Sequence, residues 1–153
     1  MDADKTVEAL LEGYPVVIAI PVQWGDQDAF GHVNNTVYFR WFESARIAYF
    51  QRMGLLAMRP AERIGPILAS SSCEYRRSIT FPDTVHVGIR VTRIGRTSIG
   101  FEHRIISAGQ ALLAAEGIST TVVINYAADN RPHPVPVAIR QAIATLEGSN
   151  FGF

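Results

Sequence analysis

The chain has 153 residues, 48% of them hydrophobic and 18% charged, and its 14 Lys and Arg balance 14 Asp and Glu. That is the length of one ordinary domain, apolar enough to bury a core and too apolar for whole-chain disorder. Zero net charge removes the basic excess that nucleic-acid binding needs, and no apolar run approaches the ~20 residues of a membrane helix. The start, MDADKTVEALLEG, has acids where a secretory signal has basic residues. The single cysteine, Cys73, excludes an internal disulfide and a Cys-based zinc site. The expected setting is therefore cytoplasmic, away from nucleic acid and membrane. With no net charge to hold copies apart, self-association is expected.

The first 13 residues read as a short helix with Asp4 as its cap and Val7, Leu10 and Leu11 on one side; Tyr14-Pro15 ends it. Val16 to Val22 is a β-rich run. A dense stretch of turn-formers and acids follows, Gln23 to Asn35. From Asn35 to Met53 the pattern is helical, with Asn34 or Asn35 to cap it and Gly54 to stop it. At 100° per residue, Thr36, Arg40, Glu43, Ser44 and Gln51 fall in a narrow polar arc, while apolar residues cover roughly 200°. A helix this apolar has to be wrapped on several sides, and a curved sheet does that.

Beyond a loop containing Pro60 and Pro66, the chain turns to β structure. Ile67 to Thr80 is one strand region. Thr84 to Ile94 alternates cleanly, Gly95-Arg96 turns, and Thr97 to Ile106 follows. Ala108-Gly109-Gln110 turns again into Ala111 to Asn125, whose apolar run predicts a central strand buried on both faces. Ala127 to Pro134 is a polar loop, and Pro136 starts a last helix to about Leu146. The expected architecture is α+β: a strand, a long apolar helix, four strands in meander, and a short C-terminal helix. It forms one domain over 1–153, with its core at 16–147 and a short N-terminal segment at 1–15. The open sheet edges invite pairing of two copies.

The candidate chemistry lies just before the long helix. Asp26 and Asp28 flank Gln27, and Gly31-His32-Val33-Asn34-Asn35 leads into the helix start. The first amides of a helix lack helical acceptors and favour negative charge, so a carbonyl held against them has its developing oxyanion stabilised. A carboxylate close by can attack that carbonyl or activate a water that does. The plain alternative is that Asp-x-Asp here only caps and makes turns. Other features read as structure. Gly95 to Gly100 is a hairpin, not a nucleophile elbow. The histidines at 32, 86, 103 and 133 lack metal-ligand spacing. Cys73 has no neighbouring base, and Arg76-Arg77 reads as a solvated strand face.

The run WGDQDAFGHVNNTVYFRWFESAR, Trp24 to Arg46, resembles the signature of hotdog-fold acyl-CoA thioesterases of the 4-hydroxybenzoyl-CoA thioesterase-like group. That signature is D-x-D-x-x-G-[HV]-V-x-[NH]-x-x-Y followed by an aromatic and an acidic residue. Asp26, Asp28, Gly31, His32, Val33, Asn35, Tyr38, Phe42 and Glu43 supply it. EYRRSITFPDTVHV and VTRIGRTSIGFEHRI resemble the strands and hairpin downstream, so the likeness spans roughly Val16 to Pro136.

The resemblance implies a hotdog fold, in which about five antiparallel strands curl around one long helix, paired as a homodimer or a dimer of dimers. It implies hydrolysis of an acyl-CoA to a free acid and CoA, with no cofactor and no metal, since CoA is part of the substrate. Asp28 matches the catalytic carboxylate, and the backbone from Gly31 to Asn34 matches the amides that bind the thioester carbonyl. Asn35 stands where members carry His or Asn near the helix start, and His32, where some members carry valine, is a catalytic candidate that either orients water or simply packs. Trp24, Val33 and Tyr38 are candidates to line the acyl site. Arg93, Arg96 and Ser98 match the hairpin that faces the CoA phosphates. Glu43, which reads as an ion pair with Arg40 or Arg46, and Ser70 to Ser72 of a second copy are secondary candidates. A hotdog hydratase or dehydratase, and an acyl-CoA or acyl-carrier-protein binding module without turnover, are the alternatives.

Overall fold

Asn34 opens the central element. Its backbone is extended (φ −62°, ψ 141°), and its side-chain oxygen accepts from the Thr36 amide at 2.9 Å, which caps helix α2, Asn35–Met53. Gly54 closes it in the left-handed conformation, φ 85°. These bounds are the ones the sequence predicts. The structure, a computed structural model, describes residues 2–151. Along α2, Tyr38, Trp41, Phe42, Ala45, Tyr49, Phe50 and Met53 are buried, and the predicted polar arc faces solvent.

Around α2 curls an antiparallel sheet. Its strands are β1 (Val16–Pro21), β2 (Ile64–Tyr75), β3 (Thr84–Ile94), β4 (Ser98–Ser107) and β5 (Leu112–Asn125), in the order β1-β3-β4-β5-β2, with a two-residue β6 (Arg131–Pro132) on β5. Val85, Val87, Ile89 and Val91 of β3 and Ile99, Phe101 and Ile105 of β4 form the concave face against α2, and all are buried. The convex face carries α1 (Ala3–Leu10), where Val7 and Leu11 pack on Ile106 in a small second core. Helix α4, Val137–Glu147, is held at its end by Glu147. That carboxylate accepts from the Tyr49 hydroxyl at 2.6 Å and the Val91 amide at 2.9 Å, joining α4 to α2 and β3. No helix among the described residues is long and apolar enough to cross a membrane.

Several local expectations are corrected. The four later strands are not a meander: β2 skips β3 and lies at the far edge beside β5. Its polar Ser-Ser-Ser-Cys-Glu stretch suits an edge, where both faces are partly wet. Pro66 lies inside β2, opposite Val123, and not in a loop; a proline is tolerated on an edge because its missing donor can face outward. Pro60 lies in a third helix, α3, Leu55–Glu62. The left-handed Gly54 ends α2 and lets the chain restart at once, and fully buried Leu55 anchors the new helix. β5 is interior to the sheet but not buried on both faces, since Ile118 is 64% exposed on the convex side. Asp2, not Asp4, caps α1. Glu43 makes no ion pair among the described residues: the three that form are Arg76–Glu116, Arg90–Glu102 and Arg104–Glu116.

Helix and sheet approach each other tightly at Gly117 of β5. A Cβ there would lie 2.5 Å from the Phe42 ring and 2.8 Å from the Ser72 carbonyl oxygen of β2. Phe42 is fully buried and the carbonyl belongs to a paired strand, so neither can yield cheaply. Gly117→Ala is expected to lose about 1–3 kcal/mol of stability, read as a lower urea midpoint at unchanged slope. An unchanged midpoint would show that α2 does not press on the sheet there.

Candidate active site

The segment between β1 and α2 is built by hydrogen bonds that its sequence makes almost unavoidable. Trp24–Asp26 is one short 3-10 turn, closed by the Gln23 amide donating to Asp26 Oδ2 at 2.8 Å. Asp28 starts the next turn: its Oδ1 accepts from the Phe30 amide at 2.9 Å, and its carbonyl from the Gly31 amide at 3.0 Å. Aspartate favours this arrangement because its side chain bonds the backbone two residues on. Gly31 sits at φ 81°, so its contribution is a conformation that other residues strain to reach. The Asp28 amide then donates to the His32 carbonyl (3.0 Å) and the Asn34 amide to the Asp26 carbonyl (2.9 Å), which folds the segment back on itself.

The outcome is a half-buried Asp28 at the mouth of α2. Its second oxygen accepts from Asn34 Nδ2 at 3.1 Å. The amides of Gly31, Val33, Asn34, Thr36 and Val37 are engaged within the protomer, Val33 with the Ile79 carbonyl at 2.8 Å. Those of His32 and Asn35 have no acceptor among the described residues. The expected donor stretch, Gly31 to Asn34, thus narrows to His32 and shifts by one residue to include Asn35. Asn35 is steadied from β2, where the Tyr75 hydroxyl donates to its carbonyl at 2.9 Å. Beside this point opens a cavity of about 270 Å³ lined by His32, Val33, Asn35, Tyr38, Tyr75, Arg76, Arg77 and Ser78. Tyr38 and Tyr75 meet edge to face at 4.9 Å in its wall. Burial pushes both phenols up to about 12, so both remain neutral hydrogen-bonding groups.

The predicted residues therefore lie in three places. Asp28, Gly31, His32, Val33, Asn34, Asn35 and Tyr38 come together at the start of α2. Trp24 stands 74% exposed, edge-on to Phe81 at 5.6 Å, and is not among the residues that line the cavity. Arg93, Arg96 and Ser98 are elsewhere in the protomer, at the other end of β3, which at eleven residues spans roughly 33 Å. There Arg93 donates to Ser98 Oγ at 3.2 Å and Thr120 Oγ1 at 3.3 Å. Two site residues escaped the sequence reading: Tyr75, because only the sheet order brings β2 to Asn35, and Ser78, which belongs to the irregular link after β2. Arg76 and Arg77, read there as a solvated face, also line the cavity, although Arg76 is paired with Glu116 at 3.1 Å. Burial pushes the Cys73 thiol up to about 11, so it stays protonated near neutrality.

A helix of this length wrapped by a curled antiparallel sheet is the hotdog architecture. Residues 22–143 match the model of the thioesterase-like superfamily, and the chain belongs to that family. It is similar to a thioesterase from Thermus thermophilus solved with coenzyme A and Zn, at 37% identity and TM-score 0.78, covering 90% of this chain and 97% of that one. It is also similar to a thioesterase-superfamily protein from Jannaschia sp. CCS1, at 25% identity and TM-score 0.81, covering 97% of this chain and 94% of that one. Among curated proteins it is 26% identical to YsmA of Bacillus subtilis over 80 residues, 52% of this chain, and 26% identical to THEM6 of Danio rerio over 105 residues, 69% of this chain. The chain spans about half the length of these two relatives, 53% and 52%.

Proposed function

We propose that the protein is an acyl-CoA thioesterase, cleaving the C–S bond of an acyl-CoA to give a carboxylic acid and CoA. The observation that carries this reading is the juxtaposition at the start of α2. A carboxylate with one donor on each oxygen shares a short segment with the amides of His32 and Asn35, which have no acceptor among the described residues, and His32 and Asn35 both line the cavity. The thioester carbonyl oxygen accepts from the amides of His32 and Asn35, and the dipole of α2 favours the negative charge that develops there. Asp28 attacks the carbonyl carbon to form an anhydride, which water then hydrolyses to free the acid and restore the carboxylate, or it takes a proton from a water that attacks the carbonyl carbon directly. The CoA thiolate leaves and takes up a proton from solvent. The coenzyme A bound by the Thermus thermophilus relative supports the choice of thioester carrier.

Pairing of two copies through the β2 edge completes this reading. Among the described residues β5 is the one strand paired with β2, and Ile67, Leu68 and Tyr75 are 45–47% exposed along it. Two β2 strands meeting antiparallel place the Tyr75 end of one beside the Ile64 end of the other. The Ile64 end pairs with Asn125, and Val122 of β5 pairs with Ser98. The hairpin bearing Arg93, Arg96 and Ser98 in a second copy thereby comes to the same end of the joined sheet as Asp28 of the first. Its arginines are then disposed toward the CoA phosphates.

The test is CoA release from acetyl-, hexanoyl-, lauroyl- and benzoyl-CoA, followed by thiol detection. Turnover of at least one is expected, with half-saturation in the range of roughly 1 μM to 1 mM common for enzymes. Binding of CoA with no release from any of the four would instead favour the non-catalytic module.

A further inference from the structure

We propose that Asn34 is a positioning residue, whose one side-chain amide fastens the Asp28 carboxylate to the first turn of α2. This rests on the thioesterase reading of Asp28. The oxygen end of the amide is committed to the helix: Oδ1 accepts from the Thr36 amide at 2.9 Å and the Thr36 hydroxyl at 2.7 Å. With its oxygen so held, the NH2 end points away from the helix, and it donates to Asp28 Oδ2 at 3.1 Å. The Asn34 amide on Asp26 and the Asp28 amide on His32 hold the two residues face to face from the backbone. Because the Phe30 amide takes the other carboxylate oxygen, Asp28 cannot rotate without giving up a donor. The helix cap and the reacting carboxylate therefore share one side chain.

Two roles are thus superposed at Asn34, and chemistry separates them. Aspartate caps a helix as well as asparagine does. Toward Asp28, however, aspartate presents an acceptor where asparagine presents a donor. Two carboxylates at hydrogen-bond distance do not both ionise readily, so they hold a proton between them. A residue that only capped α2 would tolerate Asn34→Asp. A residue that positions Asp28 would not.

The experiment follows kcat/KM of Asn34→Asp across roughly pH 5 to 9 on hexanoyl-CoA and benzoyl-CoA. The acid limb is expected to move upward by about one pH unit or more, a loss of about tenfold on that limb, with recovery on the alkaline side. Thermal midpoint is expected to stay within a few degrees of the parent, because the cap persists. Carboxyl-carbon NMR, with the Asp28 signal identified by its loss in Asp28→Asn, reads the same displacement without any turnover. Asn34→Ser keeps a cap but cannot reach Asp28, and is expected to lower kcat more than it changes KM. Superimposable acid limbs and an unmoved Asp28 signal in Asn34→Asp would overturn the proposal. Should Asn34→Asp not fold, an unchanged kcat in Asn34→Ser would overturn it equally. Full hydrolysis by Asp28→Asn would instead remove the thioesterase role of Asp28, while the NMR displacement would still report its coupling to Asn34.

Discussion

Asp28→Asn is expected to reduce kcat for thioester hydrolysis by about 10³-fold, because the amide neither attacks a carbonyl nor takes a proton from water. Its structural cost is small and predictable. Oδ1 is kept and still accepts from the Phe30 amide. The new NH2 faces the NH2 of Asn34, whose oxygen is held by Thr36 and is not free to turn. One lost hydrogen bond of this kind costs about 1 kcal/mol, a shift of about 2–4 °C in a chain of this length. Activity and stability are thus expected to part by orders of magnitude. CoA affinity should persist, since the proposed phosphate contacts lie on the hairpin and not on Asp28. Single turnover in isotopically labelled water then separates the two roles of Asp28: label enters its carboxylate only if it forms the acyl intermediate itself. Hydrolysis by Asp28→Asn at the parent rate would remove Asp28 from the chemistry altogether.

The elements that sequence reading located best are those that carry their own boundaries. Helix α2 has a side-chain cap at Asn34 and a left-handed stop at Gly54, both local signals, and its bounds are as expected. β3 alternates from Val85 to Val91 and also begins and ends where expected. The order of strands was not legible, because nothing in the residues of β2 says which neighbour it will pair with. Its polar composition announces an edge but not which edge. That hidden fact also concealed Tyr75, which reaches Asn35 only because β2 lies beside β5.

The site itself was legible to the level of residue type but not of bond. Asp28 and the helix start were found together because both fall within eight residues of chain. Which amides remain open depends on where Val33 and Asn34 send theirs, to Ile79 and Asp26. The plain reading of Asp28 as a turn-maker holds, since it does bond the Phe30 amide. Turn-making and the proposed catalysis are not exclusive: the turn is what aims the carboxylate. His103 shows the opposite limit. It reads as a strand residue, packed or at the surface, with nothing to say which; it is fully buried, stacked on Phe42 at 4.6 Å and bonded through Nε2 to Ser119 Oγ at 2.8 Å.

That burial has a large consequence for acid stability. Desolvation, with the neighbouring buried Arg46 adding its positive charge, pulls His103 down from 6.5 to about 3. In the unfolded chain the same ring takes its proton near its ordinary value. Between those two points the unfolded state holds the extra proton, so stability falls as pH falls. The loss begins near pH 6.5 and reaches roughly 4–5 kcal/mol by pH 3. Two carboxylates are also displaced from their ordinary value. Burial opposes the charge of Glu102, but the Tyr14 and Arg90 hydrogen bonds win and hold it low, so its contribution is also lost in acid. Burial of Glu147 outweighs its hydrogen bonds and holds it high, so its contribution runs the other way. Both persist in His103→Gln and cancel in the comparison. His103→Gln is expected to be less stable than the parent near neutrality, having lost the stack on Phe42. Its urea midpoint should nevertheless decline less between about pH 7 and 4, by up to one proton's worth of slope, about 1.4 kcal/mol per pH unit. Parallel declines in the two proteins would show that His103 gains its proton in the native core as readily as in the open chain.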